Sequence, residues 1–368
     1  MLKGVGEMSE KKTMRGLVLM DRTGRMELQE LPIPEIGDND VLIQVKSCGI
    51  CGGDFKRYIG KGGYYPSKPM VTGHEFAGVI AKVGKNVTKW KVGERVVTDN
   101  TGYACGNCPA CNQGDFVNCA QRTCIGVNDG YPGGFAEYAR IPGDTLLRFP
   151  STLMHLPDNV SFPEASAMEP AANGYKTVCQ ELDVRPGEVV VIFGPGPLGV
   201  MDVQWAKLCG ASRIIMIGMS ADRKMRFKIA EKYGATDFLC SDEEEDIVEA
   251  VARLLGGPGR VDAVAEVAGP PMLTYYGLQM LRNKGRLVRV GFNNAPFNMP
   301  LDIINSKAVT IIGHQGYNAE SWRECLRLAE AGILDCKSSV THTVSLDNWK
   351  EGFEILVRGE GEKVCILP

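Results

Sequence analysis

Residues 189–199 read Val-Val-Val-Ile-Phe-Gly-Pro-Gly-Pro-Leu-Gly, an apolar run that passes directly into glycines. Such a continuous apolar run is typical of a strand that is buried on both faces of a parallel sheet. Beyond the glycines, apolar side chains recur at helical spacing up to Gly210, namely Leu198, Met201, Trp205 and Leu208. A strand, a glycine turn and a helix in this order predict the first unit of a doubly wound α/β fold.

The glycines of this turn have the spacing G-x-G-x-x-G. The spacing lets the backbone approach a pyrophosphate group, which then lies at the N-terminus of the following helix. A structural turn can have the same spacing, but its position between a strand and a helix favours a dinucleotide site. The residues predicted to contact the dinucleotide are Gly194, Gly196, Pro197, Leu198 and Gly199.

An alternation of strands and helices begins near residue 165 and predicts one Rossmann unit. Further strands are predicted at 214–217, 261–267, 285–290 and 309–312. Ser220 is predicted to cap a helix that ends at Gly234, and an acidic segment opens another helix over 243–255. These acidic residues are interpreted as a solvated first turn that matches the helix dipole.

The end of the strand at 214–217 bears on the choice of nucleotide. An NAD-binding unit usually has Asp or Glu there, which accepts a hydrogen bond from the ribose 2′-hydroxyl, whereas this chain has Gly218. Without that carboxylate a 2′-phosphate meets no repulsion, and Ser220, Arg223 and Lys224 can hold it. The sequence therefore favours NADP(H) over NAD(H). Asp222 opposes this preference, and the alternative is that both basic residues are ordinary exposed helix residues.

Four cysteines with the spacing C-x2-C-x2-C-x7-C lie within residues 103–119: Cys105, Cys108, Cys111 and Cys119. Short C-x2-C steps let one folded-back loop offer several sulfurs to one ion, and four thiolates leave no open position. We therefore predict a structural zinc, with an iron–sulfur cluster or a reactive thiol cluster as alternatives. A nucleic-acid-binding zinc ribbon is disfavoured because this stretch contains no Lys or Arg.

A second group of metal-binding side chains lies in the glycine-rich stretch from Gly49 to Glu75. Cys51, His74 and Glu75 offer sulfur, nitrogen and oxygen, which are ligands that zinc accepts. Taken singly, such residues are more often packed in a core than bound to metal. Short strands between Gly and Pro turns surround them and predict a barrel-like β domain with these ligands on its loops.

The composition agrees with a globular protein of about two domains, with 368 residues, 44% hydrophobic and 23% charged. A net charge of -3 favours neither nucleic acid nor an anionic membrane as a partner. The sequence has no run of about 18 apolar residues for a membrane span and no signal-peptide pattern. Thirteen cysteines without an export signal predict a reducing, cytoplasmic location.

Taken together, the Cys-Gly-Gly-Asp loop at 51–54, Gly-His-Glu at 73–75, the four cysteines and the Rossmann unit resemble the zinc-dependent medium-chain dehydrogenases. The resemblance spans roughly residues 15–368. It is greatest to the sorbitol (polyol) and threonine dehydrogenase branch, which has Glu-Pro where this chain has Glu169-Pro170. It implies a GroES-like β-rich catalytic domain over 1–170 and 316–368, and a Rossmann cofactor domain over 171–315.

The resemblance also implies roles for individual residues. Cys51, His74 and Glu75 look like ligands of a catalytic zinc, with Glu169 as the fourth group, bound directly or through water. Asp54 matches a carboxylate that orients the ligand histidine. The residues that match the nicotinamide side are Gly269, Val290 and Gly291.

With the four-cysteine site, this gives two zinc ions per subunit. Two positions depart from many relatives, since Gly53 replaces a Ser or Thr and Lys56 replaces a His of the usual proton relay. Lys56, or a water held by Glu169, is expected to carry the proton instead.

The expected activity is the reversible oxidation of a secondary alcohol group of a small polar polyol to give a ketose. Zinc is expected to act as the Lewis acid, and NAD(P) to accept the hydride. One alternative is a threonine-type amino-alcohol dehydrogenase. A zinc-free enone reductase is disfavoured because the metal-binding residues are complete. A non-catalytic NADP(H)- and zinc-binding sensor is the alternative of another class. Family analogy predicts a homodimer or homotetramer.

Overall fold

The computed structural model describes residues 12–368, so the leader segment expected before the first strand lies outside the described residues over 1–11. The strands are β1 Thr13–Leu19, β2 Met26–Pro32, β3 Val41–Gly49, β4 Met70–Val71, β5 Glu75–Val83, β6 Arg95–Thr98, β7 Thr101–Tyr103, β8 Thr123–Cys124, β9 Tyr138–Ile141, β10 Leu153–His155, β11 Val189–Phe193, β12 Arg213–Gly218, β13 Asp237–Cys240, β14 Val261–Glu266, β15 Leu281–Arg289, β16 Thr310–Gly313, β17 Val340–Ser345 and β18 Lys363–Leu367.

The α-helices are α1 Gly52–Tyr58, α2 Pro109–Asn112, α3 Gly143–Arg148, α4 Phe162–Ser166, α5 Met168–Tyr175, α6 Pro197–Leu208, α7 Arg226–Tyr233, α8 Ile247–Leu255, α9 Pro271–Met280, α10 Asp302–Lys307, α11 Ala319–Glu330 and α12 Trp349–Val357. Helix α5 continues into a π-helix at Lys176–Glu181, which the sequence pattern does not predict. Among residues 12–368, no helix combines the length and the apolar character needed to cross a bilayer.

The chain divides into two units, and the first contains residues 12–169 and 318–368. Its larger sheet has the order β10-β6-β5-β3-β18-β17, with β9 paired to β3, and a smaller sheet has the order β2-β1-β4. Strand β18 is antiparallel to β3, with Cys365 opposite Gly49. Apolar side chains such as Ile43, Phe135 and Phe353 fill the core of this unit.

The second unit is Pro170–Tyr317, and its six-stranded sheet has the order β13-β12-β11-β14-β15-β16. Every pairing in this sheet is parallel, and its central strands β11, β12 and β14 are largely buried, as expected for a sheet covered by helices. Strand β11 occupies the middle of the sheet beside β12 and β14. The predicted doubly wound unit is therefore present, and the chain order reverses at β11, where ligands of this fold bind.

Two local predictions in this unit are wrong. Ser220 does not cap the next helix, because α7 begins only at Arg226 and the Ser220 hydroxyl donates to Asp242 at 2.5 Å. The acidic segment does not form a first helical turn either, because α8 begins at Ile247. Asp246 caps that helix by accepting hydrogen bonds from the amides of its first turn.

Candidate metal and cofactor sites

Cys51 lies at the N-cap of helix α1, in the first unit. Its sulfur accepts a hydrogen bond from the Gly53 amide at 3.4 Å, and the Cys51 amide donates to Asp54 Oδ2 at 3.2 Å. This reciprocal capping fixes the direction of the Cys51 side chain.

His74 and Glu75 follow Gly73, whose φ of 88° is accessible to glycine at little cost. A Cβ atom at Gly73 would also lie only 2.7 Å from the Phe135 ring and 2.8 Å from Cys48 Sγ. This turn directs His74 and Glu75 towards Cys51, so that one ligand atom of each of the three lies within 4.8 Å of the others. A sulfur, a nitrogen and a carboxylate oxygen in such a group fit a zinc ion.

The electrostatics at His74 favour a positive charge. Burial alone lowers the pKa of His74, but the neighbouring Cys51, Asp54 and Glu75 raise the pKa to about 10. The buried His74 Nδ1 makes no hydrogen bond within the described residues, and it lies 3.9 Å from Asp54 Oδ2. The pocket thus attracts a cation, which is either a proton or a metal ion bound in its place.

Arg57 shares the Asp54 carboxylate, a contact that the sequence analysis misses. Asp54 is fully buried and Arg57 is 3% exposed, and the guanidinium donates to Asp54 Oδ1. The same guanidinium donates to the Tyr64 carbonyl at 3.1 Å. Asp54 therefore bridges Arg57 and the Cys51 turn beside His74, so its charge is compensated without a metal ion.

Lys363, at the start of β18, is the second missed partner of this site. Its ammonium donates to Glu75 Oε2 at 2.5 Å, and both side chains are 1% exposed. Burial opposes the charge on Lys363, but Glu75 and Cys51 raise its pKa above the ordinary value. Glu75 is therefore paired with a buried cation within the protein itself.

The other predicted catalytic residues are placed differently. Glu169 is half-buried in the first turn of α5 and is not part of the three-residue group. Lys56 is exposed on α1. Cys124 is mostly buried, which raises the pKa of its thiol, and it interacts electrostatically with both His74 and Glu169. Cys124 thus lies near the site, although no sequence motif includes it.

The four cysteines form the second metal-binding group. The sulfurs of Cys105, Cys108, Cys111 and Cys119 lie within 4.8 Å of one another. Cys108 is the N-cap of α2, and Pro109 fixes the first helical residue. Phe116 and Phe149 pack against the buried cysteines, with ring centroids 4.1 Å apart. Four sulfurs at this spacing fit a tetrahedral zinc that holds the loop closed.

Backbone amides lower the pKa of one of these thiols, which favours metal binding. Hydrogen bonds from the amides of Asn107 and Cys108 lower the pKa of Cys105 to about 6. Burial acts in the opposite direction at Cys111 and raises its pKa. The exposed side of the loop therefore carries a thiolate near neutral pH. A bound cation would also stabilise the thiolate form of the buried cysteines.

In the second unit, the glycine turn joins β11 to α6 as predicted. A Cβ atom at Gly199 would lie 1.9 Å from the Gly194 carbonyl oxygen, so any side chain there would block the turn. A Cβ atom at Gly196 would meet nothing within 4 Å, so the backbone is open to a ligand at that point. Pro197 and Leu198 form the first turn of α6 and are half-buried. The open backbone and the helix N-terminus fit a pyrophosphate.

A buried ion pair supports the loop after β14. Glu266 is fully buried, and it accepts hydrogen bonds from the Gly269 amide at 2.5 Å and from Arg289 at 3.0 Å. The amides of Val290 and Gly291 donate to the Glu266 carbonyl at 2.8 and 3.0 Å. The three residues predicted at the nicotinamide side are thus held together by Glu266, which the sequence analysis does not single out.

Gly218 ends β12 as predicted, but acidic residues that follow β13 pair with the residues after it. Asp242 accepts from both the amide and the hydroxyl of Ser220, at 2.7 and 2.5 Å. Arg223 forms an ion pair with Glu243, whereas Lys224 is exposed. Two of the three residues predicted to hold a 2′-phosphate are therefore already paired with carboxylates.

Comparisons with known proteins agree with this geometry. Residues 37–151 match the alcohol dehydrogenase GroES-like domain, and residues 197–331 match the zinc-binding dehydrogenase domain. The chain belongs to the zinc-dependent medium-chain dehydrogenase family. This confirms the predicted fold class of a GroES-like domain with a Rossmann domain.

Three curated relatives match along nearly the whole chain. The uncharacterized zinc-type alcohol dehydrogenase-like protein YdjL of Escherichia coli (strain K12) is 38% identical and covers 93% of this chain and 95% of its own length. L-threonine 3-dehydrogenase of Bacillus velezensis is 33% identical, with 96% and 99% covered. Sorbitol dehydrogenase of Halalkalibacterium halodurans is 32% identical, with 94% and 96% covered.

Two solved structures have the same fold. The 2R,3R-butanediol dehydrogenase from Bacillus subtilis has a TM-score of 0.85 at 27% identity, with 96% of this chain and 99% of that chain covered. A structure from Sinorhizobium meliloti 1021, described as a zinc-binding dehydrogenase bound to NADP, has a TM-score of 0.85 at 27% identity, with 97% and 100% covered.

Proposed function

We propose that the protein is a zinc-dependent dehydrogenase that transfers a hydride between a secondary alcohol of a small polyol and a nicotinamide cofactor, and forms a ketose from a sugar alcohol. The grouping of Cys51, His74 and Glu75 within 4.8 Å carries this proposal. Relatives named for sorbitol and butanediol support a substrate with neighbouring hydroxyl groups.

A catalytic zinc is assigned to Cys51, His74 and Glu75, with Glu169 as the fourth group, and a structural zinc to the four cysteines. Each subunit then holds two zinc ions. When bound, the catalytic zinc supplies a Lewis acid that lowers the pKa of the substrate hydroxyl. Chelation with measurement of zinc stoichiometry, which should fall from two to zero per chain with loss of turnover, tests this assignment.

The protein's own charged residues keep the site ready for this role. Lys363 donates a hydrogen bond to the Glu75 carboxylate, and Arg57 does the same for Asp54. Both carboxyl groups lie around the position where a cation is favoured, and a bound metal ion would take the place of the proton on His74. Orientation of the ligands is the contribution of Asp54 and of the α1 capping turn.

The proton of the substrate hydroxyl must be transferred to solvent. Gly53 has no side chain that could carry it, so another group is required. Water beside the half-buried Glu169 is assigned this task. Lys56 is exposed and serves as the alternative acceptor at the surface. Glu169→Gln and Lys56→Met separate the two routes, since the variant on the true route should lose activity and change its pH profile.

For the cofactor, we propose NADP(H) in preference to NAD(H). The absence of a carboxylate at Gly218 supports this choice, as does the presence of Arg223 and Lys224 nearby. The 2′-phosphate would have to draw Arg223 away from Glu243, which lowers the expected advantage over NAD(H). Rates with both cofactors at equal concentration decide between them.

A threonine-type amino-alcohol dehydrogenase is the second candidate. The 33% identity to L-threonine 3-dehydrogenase over 96% of this chain supports it about as well as the 32% identity to sorbitol dehydrogenase supports the first. The two candidates differ in whether the substrate carries an ammonium and a carboxylate beside the reacting hydroxyl. A panel of C3–C6 polyols, ketoses and L-threonine, each with NAD and NADP, identifies the substrate class and the cofactor together.

The remaining parts of the proposal concern the molecule as a whole. The catalytic and cofactor domains are assigned to 1–170 with 316–368 and to 171–315. A cytoplasmic location is proposed because thirteen cysteines suit a reducing compartment. A homodimer or homotetramer is proposed by family analogy, and light scattering of the purified protein tests it.

A further inference from the structure

Two half-buried cysteines lie next to each other in the second unit, away from both metal-binding groups. Cys179 belongs to the π-helix Lys176–Glu181, and Cys209 follows the last residue of α6 as its C-cap. Their sulfur atoms are 3.3 Å apart, although the residues are separated by 30 positions in the sequence. Neither residue belongs to a motif that the proposed function uses.

The packing around these thiols holds them together. The Trp205 indole of α6 donates to the Ala171 carbonyl of α5 at 2.7 Å, and its ring meets Tyr175 edge-on at 5.0 Å. Trp205 is 2% exposed, so this contact is part of the core. Because α5 continues directly into the π-helix, the same contact also fixes the position of Cys179 relative to Cys209.

The two thiols are chemically unequal. The hydrogen bond between the two thiols lowers the pKa of Cys209, and partial burial opposes this effect. A thiol that is hydrogen-bonded in this way is the better nucleophile of the pair, since the thiolate is the attacking form. Both side chains are half-buried rather than enclosed, which leaves a path for a small reagent.

We propose that Cys179 and Cys209 form a reversible dithiol–disulfide pair that is oxidised by a low-molecular-weight disulfide such as oxidised glutathione. The Cys209 thiolate attacks one glutathione sulfur, the glutathione S–S bond breaks, and one glutathione leaves as a thiol after taking a proton. Cys179, as its thiolate, then attacks Cys209 Sγ and releases the second glutathione.

In sum, the protein loses two electrons and two protons, and the reagent is reduced to two thiols. A disulfide needs sulfur atoms about 2.05 Å apart, so the pair has to approach by only about 1.3 Å from its 3.3 Å separation.

The other cysteines provide a contrast within the same chain. Cys325 and Cys336 are also close enough to interact electrostatically, but both are buried, and burial raises the pKa of each. Cys51 and the four-cysteine group are metal ligands in the proposed function and are protected when zinc is bound. Cys179 and Cys209 are thus the close pair that combines partial exposure with a lowered thiol pKa.

The test equilibrates the zinc-loaded protein with excess oxidised glutathione, blocks free thiols by alkylation and maps the linked peptides by mass spectrometry. The expected product is a Cys179–Cys209 cross-link, lighter by two hydrogen atoms and reversed by dithiothreitol, with the zinc content unchanged. Cys336→Ser is the matched control and should form the same cross-link. A protein in which both thiols remain alkylatable, or a cross-link between other cysteines, overturns the proposal.

Two variants test the order of the steps and do not depend on catalysis. Cys179→Ser should trap one glutathione on Cys209, because the resolving thiol is missing. Cys209→Ser should form no cross-link and should carry far less glutathione on Cys179. Equal labelling in both variants, or labelling only in Cys209→Ser, contradicts the assignment of Cys209 as the attacking thiol.

Discussion

The four-cysteine loop and the Cys51–His74–Glu75 group both suit zinc, yet they are built in opposite ways. The loop takes four identical ligands from residues 105–119 and packs them against Phe116 of the loop and Phe149. The three-residue group takes three kinds of ligand from separate elements and pairs its carboxylate with Lys363, 288 residues away. A local, uniform site stabilises a loop, whereas a dispersed, charged site suits chemistry.

The two regions also differ in how they are neutralised. Backbone amides lower the pKa of Cys105, which favours thiolates in the loop. Around His74, anionic side chains raise the pKa of the imidazole, and buried cations from Arg57 and Lys363 balance the carboxylates. Loss of the metal ions should therefore destabilise the four-cysteine loop, whereas the structure around the three-residue group should persist.

The largest expected effect is on turnover, at the three-residue group. His74→Ala should lower kcat/KM by about 10³-fold or more, because the Lewis acid is lost with its ligand. The zinc content should fall from two to one per chain while the melting temperature changes little. His342→Ala is the control, since this half-buried histidine contacts Thr341 with its ring and belongs to neither metal-binding group. Full turnover in a zinc-depleted His74→Ala protein would contradict the assignment of a catalytic role to the three-residue group.

Lys363→Met should show whether zinc shares Glu75 with the lysine. In zinc-free protein the change leaves a buried carboxylate unpaired, which costs about 3–5 kcal/mol of unfolding free energy. In zinc-loaded protein the cost should be smaller, because the metal ion takes over the charge of Glu75. Urea denaturation of both forms measures this, with Lys350→Met, at an exposed position, as control. Equal costs in the two forms would mean that Glu75 does not bind the metal.

Cys108→Ser tests the loop alone. It should lower the melting temperature by roughly 5–10 °C, because the structural zinc binds more weakly and the loop is no longer closed. At temperatures where the variant is folded, kcat/KM should stay close to that of the wild type. Calorimetry and steady-state rates measure the two effects. An unchanged melting temperature would show that the loop needs no metal ion.

Asp99, which precedes β7, should produce a pH effect on stability. It is 3% exposed, and burial raises its pKa to about 6 from an ordinary 3.8. A raised folded-state pKa gives stability that is present below pH 3.8 and lost as the pH rises through about 6. Relative to Asp99→Asn, the wild type should therefore lose about 2 kcal/mol between pH 4 and 7. A difference that does not change with pH, measured by denaturation, contradicts this.

Arg223→Ala should have the smallest effect on activity, and it tests whether the enzyme prefers NADP or NAD. If the guanidinium leaves Glu243 to bind a 2′-phosphate, kcat/KM for NADP should fall roughly tenfold and that for NAD should not change. Glu243→Gln should have the opposite effect and improve NADP. A preference for NAD in the wild type that neither variant alters would reject NADP as the cofactor.

The sequence predicts those parts of the sites that depend on local spacing. The glycine turn and the four-cysteine loop are each contained in fewer than 20 residues, and local backbone geometry gives them their form. Cys51, His74 and Glu75 require a resemblance to other proteins, because nothing in their spacing alone shows that they meet. Side-chain placement near one sheet edge depends on β3 and β5 being paired, which is a tertiary property.

Physical reasons explain why the sequence analysis missed Lys363 and Arg57 and misplaced Ser220. Lys363 reads as a surface lysine, since nothing local indicates that β18 pairs with β3 and buries it beside Glu75. Arg57 reads as the exposed end of a short helix, although it is buried against Asp54. Ser220 is misplaced because its hydroxyl finds Asp242, 22 residues later, in preference to the next helix.

The position of β18 also has a consequence for biosynthesis. Lys363 emerges from the ribosome after Glu75 and after the whole of the second unit, because Pro170–Tyr317 lies between the two segments of the first. During translation the first segment therefore carries an unpaired Glu75 and an open strand edge at β3 while the second unit folds. Early zinc capture would shield this carboxylate, so metal supply should govern how much nascent chain reaches the native state.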